Sequence, residues 1–409
     1  MSRGWTPQKV LWVSIIMHWL PERTLQERFT RARQIVHSLH PRWKVPVSYS
    51  GFVEAQLRTM QQIGPELQKT LRPDDSWADS WLVHGWLLLA VDGTKFECPR
   101  TEANEQKLGC AGPEKSCPQV FQTTILHLGT GVPWDFELGP GIESERRQLD
   151  RMLNALPENA MLVADAGFIS FALCQALMQS GKTFVFRVAA NMRLVEGLSE
   201  HCSGIGHQDG LDLTCLWPKE QMDRQPVLLR RVTVTGASGL PVVLVTNILD
   251  SQVLPDSVVL DIYRKRWGLE LHYRTFKQTW AYAALNSRTA DTAICEQWWR
   301  FVSLWTLEHL AAHALAEKGM DPRDVSGAAL RRIIRALLSD AETGRSSQPF
   351  LESVRHQTRD KSPRTKPKCR RAWPRKSAHK EPKPPKLRQA STAEILRAKE
   401  LGFLYTSSS

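Results

Sequence analysis

Two short apolar runs, Trp86–Val91 and Met161–Ala164, each lead directly into an aspartate that is followed closely by glycine. The segments read Ala90-Val91-Asp92-Gly93-Thr94 and Leu162-Val163-Ala164-Asp165-Ala166-Gly167-Phe168. A strand apolar on both faces has to be covered on both faces, so two of them confine the chain to a sheet flanked by helices. Each run places its acid at the carboxyl end of a buried strand, before a glycine-assisted turn. Singly, such an aspartate is an ordinary turn or cap residue. As a pair on neighbouring strands, the two can converge their carboxylates on one metal ion.

The pattern around these runs defines an order of elements. Val120–Leu128 is rich in β-branched residues, and Val132–Leu138 follows a Gly-Thr-Gly turn, so three antiparallel strands in succession are predicted. Glu145–Leu156 reads as a helix, Met161–Ala164 as a strand, Phe171–Met178 as a helix and Thr183–Val188 as a strand. The order β-β-β-α-β-α-β is that of a ribonuclease H-like core, an α/β fold with a mixed sheet flanked by helices. Residues 190–255 alternate in hydrophobicity (Val227, Leu229, Val232, Val234) and are predicted to form a β-rich insertion. Before the core, residues 8–72 carry helical periodicity broken at Pro21, Pro41 and Pro46, which predicts three or four helices.

Length and charge set the rest of the plan. A chain of 409 residues exceeds the usual size of one domain. The division expected is an N-terminal helical region at 1–75, a catalytic domain at 80–320 interrupted by the 190–255 insertion, a helical extension at 321–350 and a tail at 351–409. The formal net charge is +12, which favours a polyanionic partner such as nucleic acid. Residues 351–390 hold 14 Lys and Arg against 3 acidic residues, so this segment carries most of the excess. It is poor in large apolar residues and rich in Pro, and is expected to be a disordered basic tail, with a short helix at Thr392–Leu401. The tail is open to two readings, non-specific phosphate binding or a solvated segment.

The most apolar run, Trp81–Val91, is interrupted by His84 and is far short of the roughly 20 residues of a membrane helix. No membrane association is expected. Eight scattered cysteines and the absence of a secretory pattern at the start point to a reduced, cytoplasmic setting. Neither Cys110-x6-Cys117 near Cys98 nor His201-Cys202 with His207 and Cys215 has the paired spacing of a structural zinc site.

A third acid lies in Tyr263-Arg264-Lys265-Arg266-Trp267-Gly268-Leu269-Glu270, within a proline-free stretch, Ser257–Trp280, predicted to be helical. At about 100° per residue, Tyr263, Arg266, Glu270 and Lys277 fall within roughly 60° of one another. Ile262, Leu269, Tyr273 and Phe276 flank this stripe on one side and Trp267 and Leu271 on the other, while Lys265 and His272 lie opposite. Arg266-x3-Glu270 alone is an ordinary ion pair on a solvated face. With apolar flanks, the stripe is expected to look into a protein cleft.

These residues resemble the insertion-sequence-four family of DDE transposases. Tyr263-x2-Arg266-x3-Glu270-x6-Lys277 has the spacing of its YREK signature, and Asp92 and Asp165 stand where that family has its first two acids. The similarity extends through Leu138-Gly139-Pro140, Ser144-Glu145-Arg146 and Leu285-Asn286-Ser287-Arg288-Thr289, and spans roughly residues 85–315. The 105 positions from Asp165 to Glu270 leave room for the β-rich insertion that the family carries there.

The resemblance implies metal-dependent cleavage of double-stranded DNA at element ends, then attack of the freed 3′-hydroxyl on target DNA. A homodimer on paired ends is implied with it. Asp92, Asp165 and Glu270 would then be catalytic and metal-binding. Their hard oxygen donors suit Mg2+ or Mn2+, in a pair about 3.5 to 4 Å apart. Tyr263, Arg266 and Lys277 would contact DNA phosphates. Glu145, after Ser144, is a capping acid to which the resemblance adds a supporting role beside the ligands. Trp217 is either insertion core or a base-stacking residue, and Trp298 and Trp299 read as helix packing. Two other functions fit the same residues, a ribonuclease H-like nuclease that cuts without joining and a DNA-binding relic that has lost catalysis. The N-terminal helices are candidates for terminal-repeat recognition, although no recognition-helix signature stands out.

Overall fold

The computed structural model describes residues 4–74, 77–110, 117–198, 212–235, 241–343, 345, 349–358 and 384–403. The chain divides into two compact units, Met1–Ala155 with Gly268–Asp360, and Leu156–Trp267 with Lys361–Ser409. From Leu87 to Arg187 the elements follow the β-β-β-α-β-α-β expectation of a ribonuclease H-like α/β fold, with a short helix, Glu102–Leu108, added after the first strand.

Unit 1 begins with α1 (Pro7–Trp19), α2 (Leu25–Leu39), α3 (Tyr49–Thr70) and the short α4 (Ala78–Trp81). Local chemistry sets their starts: Thr24 and Glu27 form a reciprocal capping box on α2, and Ser48 caps α3. Next come β1 (Leu87–Glu97), α5 (Glu102–Leu108), β2 (Gln119–His127), β3 (Pro133–Pro140) and α6 (Glu145–Met152). The unit also holds α9 (Trp267–Arg274, from Gly268 on), α10 (Ala290–Ala316), α11 (Gly327–Thr343) and α12 (Phe350–Arg355). β2 pairs antiparallel with both β1 and β3.

The core of unit 1 forms around α10, whose 27 residues are buried nearly all round. Trp298, Trp299, Phe301 and Trp305 pack there, and Phe136 of β3 lies 4.5 Å from the Phe301 ring centroid. Such aromatic pairs add about 0.5–1.5 kcal/mol to the burial of their area. Trp298 and Trp299 are therefore packing residues. The helices α1 and α3 pack on α10 within the same unit, so the N-terminal region is part of this core rather than a separate module.

Unit 2 contains β4 (Ala160–Ala164), α7 (Phe171–Gln179), β5 (Thr183–Arg187), β6 (Arg193–Glu196), β7 (Leu213–Leu216), β8 (Val227–Thr235), β9 (Pro241–Thr246) and α8 (Asp256–Lys265), closing with β10 (Lys386–Gln389) and α13 (Thr392–Glu400). Its strands run in the order β10-β6-β7-β8-β9-β5-β4. β4 and β5 are parallel, joined through α7, whereas β9 runs antiparallel to β5, with Val185 opposite Thr246. The β-rich insertion is thus a continuation of the core sheet.

Two sequence expectations need correcting. Asp92 does not close its strand: β1 continues to Glu97, with Asp92 opposite Thr124 and Gly93 opposite Thr123. Gly93 is needed for space instead of a turn, because a Cβ there would sit 2.7 Å from the Phe121 ring and 3.1 Å from Glu145 Oε2.

The tail is not disordered throughout. β10 adds parallel to β6, and α13 occupies most of the expected helix at Thr392–Leu401. Composition misses this because the burial is local: Glu394 is enclosed, paired with Arg388, and accepts from Ser391 N and Oγ at 2.9 Å each. The most basic stretch, 359–383, lies outside the described residues.

The Arg388 guanidinium holds the Glu394 carboxyl down at about 2, against an ordinary value of 4.5. A depressed carboxyl stabilises the fold fully above its unfolded value and loses that contribution as pH falls through the folded one. Glu394→Gln is therefore expected to loosen β10 and α13 by about 1–3 kcal/mol at neutral pH, with little difference from wild type near pH 2. Hydrogen exchange of residues 386–400 across this range measures it. Equal protection at neutral pH would contradict the assignment.

Candidate active site

The three acids are divided between the units, Asp92 and Glu270 in one and Asp165 in the other. In unit 1, the half-buried Asp92 accepts from Gly93 N at 2.8 Å through Oδ1. Glu145 is the first residue of α6, where Ser144 Oγ accepts from Arg146 N at 3.3 Å, so its carboxylate stands at a helix N-terminus. The missing side chain at Gly93 lets it come up beside the Asp92 strand.

Glu270 rides on α9. Two contacts hold this helix within unit 1: Tyr273 Oη donates to the Asp92 carbonyl at 2.7 Å, and His272 Nδ1 lies 3.3 Å from Glu308 Oε2 on α10. Burial, together with the Asp92 and Glu145 charges, raises the Tyr273 phenol well above its ordinary value, so it remains a donor at any working pH.

In unit 2, Asp165 follows β4 directly. Its Oδ1 accepts from Ala166 N at 2.8 Å, from Tyr263 Oη at 3.2 Å and from Arg187 Nη1 at 3.4 Å. The Arg266 guanidinium lies over the Tyr263 ring, 5.5 Å from its centroid. The Asp165 side chain is 38% exposed, while Arg266 is buried. The structure therefore brings together Asp165, Tyr263 and Arg266, all expected from the sequence, and adds Arg187. That last residue had a legible signal: it ends the apolar run Phe184-Val185-Phe186, and the parallel pairing of β5 with β4 puts the two strand ends on the same edge.

The single stripe drawn through Tyr263, Arg266, Glu270 and Lys277 needs revision. α8 ends at Lys265, α9 starts at Trp267, and Thr275–Thr279 is π-helical, so a uniform 100° step does not carry through. Trp267, assigned to an apolar flank, is 55% exposed, and His272, assigned to the opposite face, is buried. Lys277 Nζ donates to Thr94 Oγ1 at 2.7 Å and to Lys95 O at 2.9 Å, and sits 4.8 Å from the Phe96 ring centroid. Burial lowers its pKa.

Among the described residues, no three His, Cys, Asp or Glu side chains are grouped so as to hold a metal ion. His201, Cys202 and His207 lie outside the described residues. Trp217 is buried, and its Nε1 donates to Gln221 O at 3.2 Å and Arg224 O at 2.9 Å, which makes it insertion core and leaves no ring face to stack on a base.

Residues 86–306 match the family described as the transposase DDE domain. The chain belongs to that family. In keeping with the insertion-sequence-four resemblance, this DDE transposase chain is 25% identical over 252 residues to transposase InsG for insertion sequence element IS4 of Escherichia coli (strain K12), covering 59% of the chain and 56% of InsG. It is 25% identical over 170 residues to protein y4zB of Sinorhizobium fredii, covering 41% and 42% respectively. The match thus spans about half the length of these curated relatives. A piggyBac transposase synaptic complex with hairpin DNA superposes with a TM-score of 0.41 at 12% identity, over 88% of this chain and 87% of that one. That superposition is too loose to carry residue correspondences.

Desolvation, followed by the Asp165 charge, pushes the Tyr263 phenol up to about 12 from 10. A difference titration between wild type and Tyr263→Phe should therefore show no phenolate band at pH 10 and a band only near pH 12. A band already developed at pH 10 would mean that Tyr263 is not enclosed beside Asp165.

Proposed function

We propose that the chain is an active DNA transposase that cleaves at insertion-sequence ends and joins the freed 3′-hydroxyl to target DNA. The observation that carries this reading is the cluster at Asp165, where one carboxylate accepts from Arg187 and Tyr263 and Arg266 lies over the Tyr263 ring. A carboxylate among groups suited to phosphate is what phosphoryl transfer on a polyanion requires.

Asp92, Asp165 and Glu270 are assigned as the catalytic acids. They present only carboxylate oxygens, a donor set that fits Mg2+ or Mn2+ and not a thiol-seeking metal. Bound there, a pair of such ions would supply Lewis-acid stabilisation of the attacking and leaving oxygens. Arg266 and Arg187 offer guanidinium forks to the non-bridging oxygens of the scissile phosphate, and the Tyr263 hydroxyl can exchange Asp165 for a phosphate oxygen. Lys277 keeps its third N–H, directed by Thr94 and Lys95, for a DNA phosphate. Glu145 adds negative charge beside Asp92. The displacement is in line at phosphorus, with no protein-bound covalent intermediate, since no protein nucleophile is called for.

The substrate is double-stranded DNA, first the element end and then the target. Two copies of the chain, one on each end, complete the assembly, and the place of action is the bacterial cytoplasm. No helix among the described residues is long and apolar enough to cross a membrane.

The test is nicking of a labelled duplex carrying the native element end, in Mg2+ and in EDTA, with a plasmid target present. Wild type is expected to nick at the element boundary and to join only with metal. Asp92→Asn, Asp165→Asn and Glu270→Gln are each expected to lose roughly 10³-fold or more while still binding the duplex. Cutting without joining would favour a nuclease, and binding without cutting by wild type a relic.

A further inference from the structure

The interior of unit 1 contains polar groups that its stability does not require. On β2, the side chains of Gln122, Thr123 and Thr124 are all fully buried, as is Gln297 on α10. A half-satisfied buried polar network costs more than an apolar core of the same shape. Here the cost is visible, because Thr123 Oγ1 and Gln297 Oε1 have no hydrogen-bond partner among the described residues.

The polar groups that do have partners form a chain running in one direction. Gln297 Nε2 donates to Gln122 Oε1 at 2.7 Å, and Gln122 Nε2 donates to Thr124 Oγ1 at 2.9 Å. Thr124 neighbours the Tyr273 hydroxyl, and its side chain and backbone oppose the rise that burial imposes on that phenol. Tyr273 Oη in turn donates to the Asp92 carbonyl at 2.7 Å. Thr124 faces Asp92 across the β1–β2 ladder, and Tyr273 lies just under one turn beyond Glu270 on α9.

We propose that Gln297, Gln122, Thr124 and Tyr273 form a positioning relay that fixes the Asp92 backbone and the seat of α9. The spacing of Asp92 and Glu270 is thereby set from the core. This rests on the reading of those two acids as catalytic. None of the four touches the reacting atoms. A hydrogen bond to the Asp92 carbonyl restricts the strand that carries the carboxylate. Gln297 and Gln122 hold Thr124, Thr124 faces Asp92 across the ladder and Tyr273 holds the Asp92 carbonyl, so a shift at the core end is passed to Asp92.

The variants are Tyr273→Phe at the near end and Gln122→Leu and Gln297→Leu at the far end, all in the full chain. The first readout is hydrogen exchange of the peptide spanning residues 88–97, which does not depend on activity. Each variant is expected to speed exchange around Asp92 by more than the uniform rise that any loss of global stability from a partner left unpaired would give. The second is nicking with Mg2+ titrated. Each single variant is expected to raise the Mg2+ requirement or lower the turnover by about 10- to 100-fold, with duplex binding unchanged. The pair Tyr273→Phe/Gln122→Leu is expected to be no worse than its weaker member, because both cut one chain. Wild-type exchange at 88–97 in all three variants would overturn the relay, as would wild-type metal requirement and turnover. If wild type does not nick at all, the transposase reading fails, and the exchange measurement still decides whether the relay exists.

Discussion

The nine-residue antiparallel ladder between β1 and β2 is the interaction on which unit 1 depends. Leu87–Val91 are buried, so β1 needs a partner strand for its backbone and cover for its side chains. The ladder provides the first, and it fixes where Asp92 emerges, opposite Thr124. α10 helps to cover β2 and β3, and α9 is tied back to β1 by Tyr273. Glu145 reaches the same strand because Gly93 leaves space for it. A one-residue slip in the β1–β2 register would turn Asp92 to the other face, so the ladder constrains where that acid can stand.

Much of this was legible in the sequence where one physical signal dominated. The apolar runs before Asp92 and Asp165 are strands because nothing else buries such short segments so well, and β4 and β5 follow from the same logic. The β-rich insertion was legible by alternation, although its pairing with β5 was not, since register with a strand some 60 residues away has no local signature. The signature segment was recognisable by spacing, whereas its geometry was not. A wheel assumes one uninterrupted helix, and the break at Arg266 and the π-turn at Thr275–Thr279 exchange the places of Trp267 and His272. Arg187 and Tyr273 were missed because their importance comes from partners far along the chain, Asp165 and Asp92. β10 was hidden by its composition, in which charge outweighs the few residues that make its contacts.

The two units also differ in how they treat charge. Around Asp165, Arg187 and Tyr263 meet a partly exposed carboxylate and Arg266 covers the Tyr263 ring, a setting in which we propose that a phosphate-bearing ligand is received. Around Asp92, the Thr124 and Tyr273 side chains are buried and neutral and restrict position, while Glu145 brings negative charge alongside. A metal-dependent phosphoryl transferase needs both qualities, adaptable contacts to the substrate and a fixed frame for the acids. Family membership over residues 86–306 gives the chain its class, and this contrast gives the acids their separate settings.

The central proposal is that Asp92, Asp165 and Glu270 are each needed for divalent-metal binding. Mn2+ binding to the full chain with its duplex, followed by electron paramagnetic resonance, tests it without requiring turnover. The account predicts tight binding to wild type that is weakened by Asp92→Asn, Asp165→Asn and Glu270→Gln alike. Binding unchanged in any one of the three would contradict that residue's assignment.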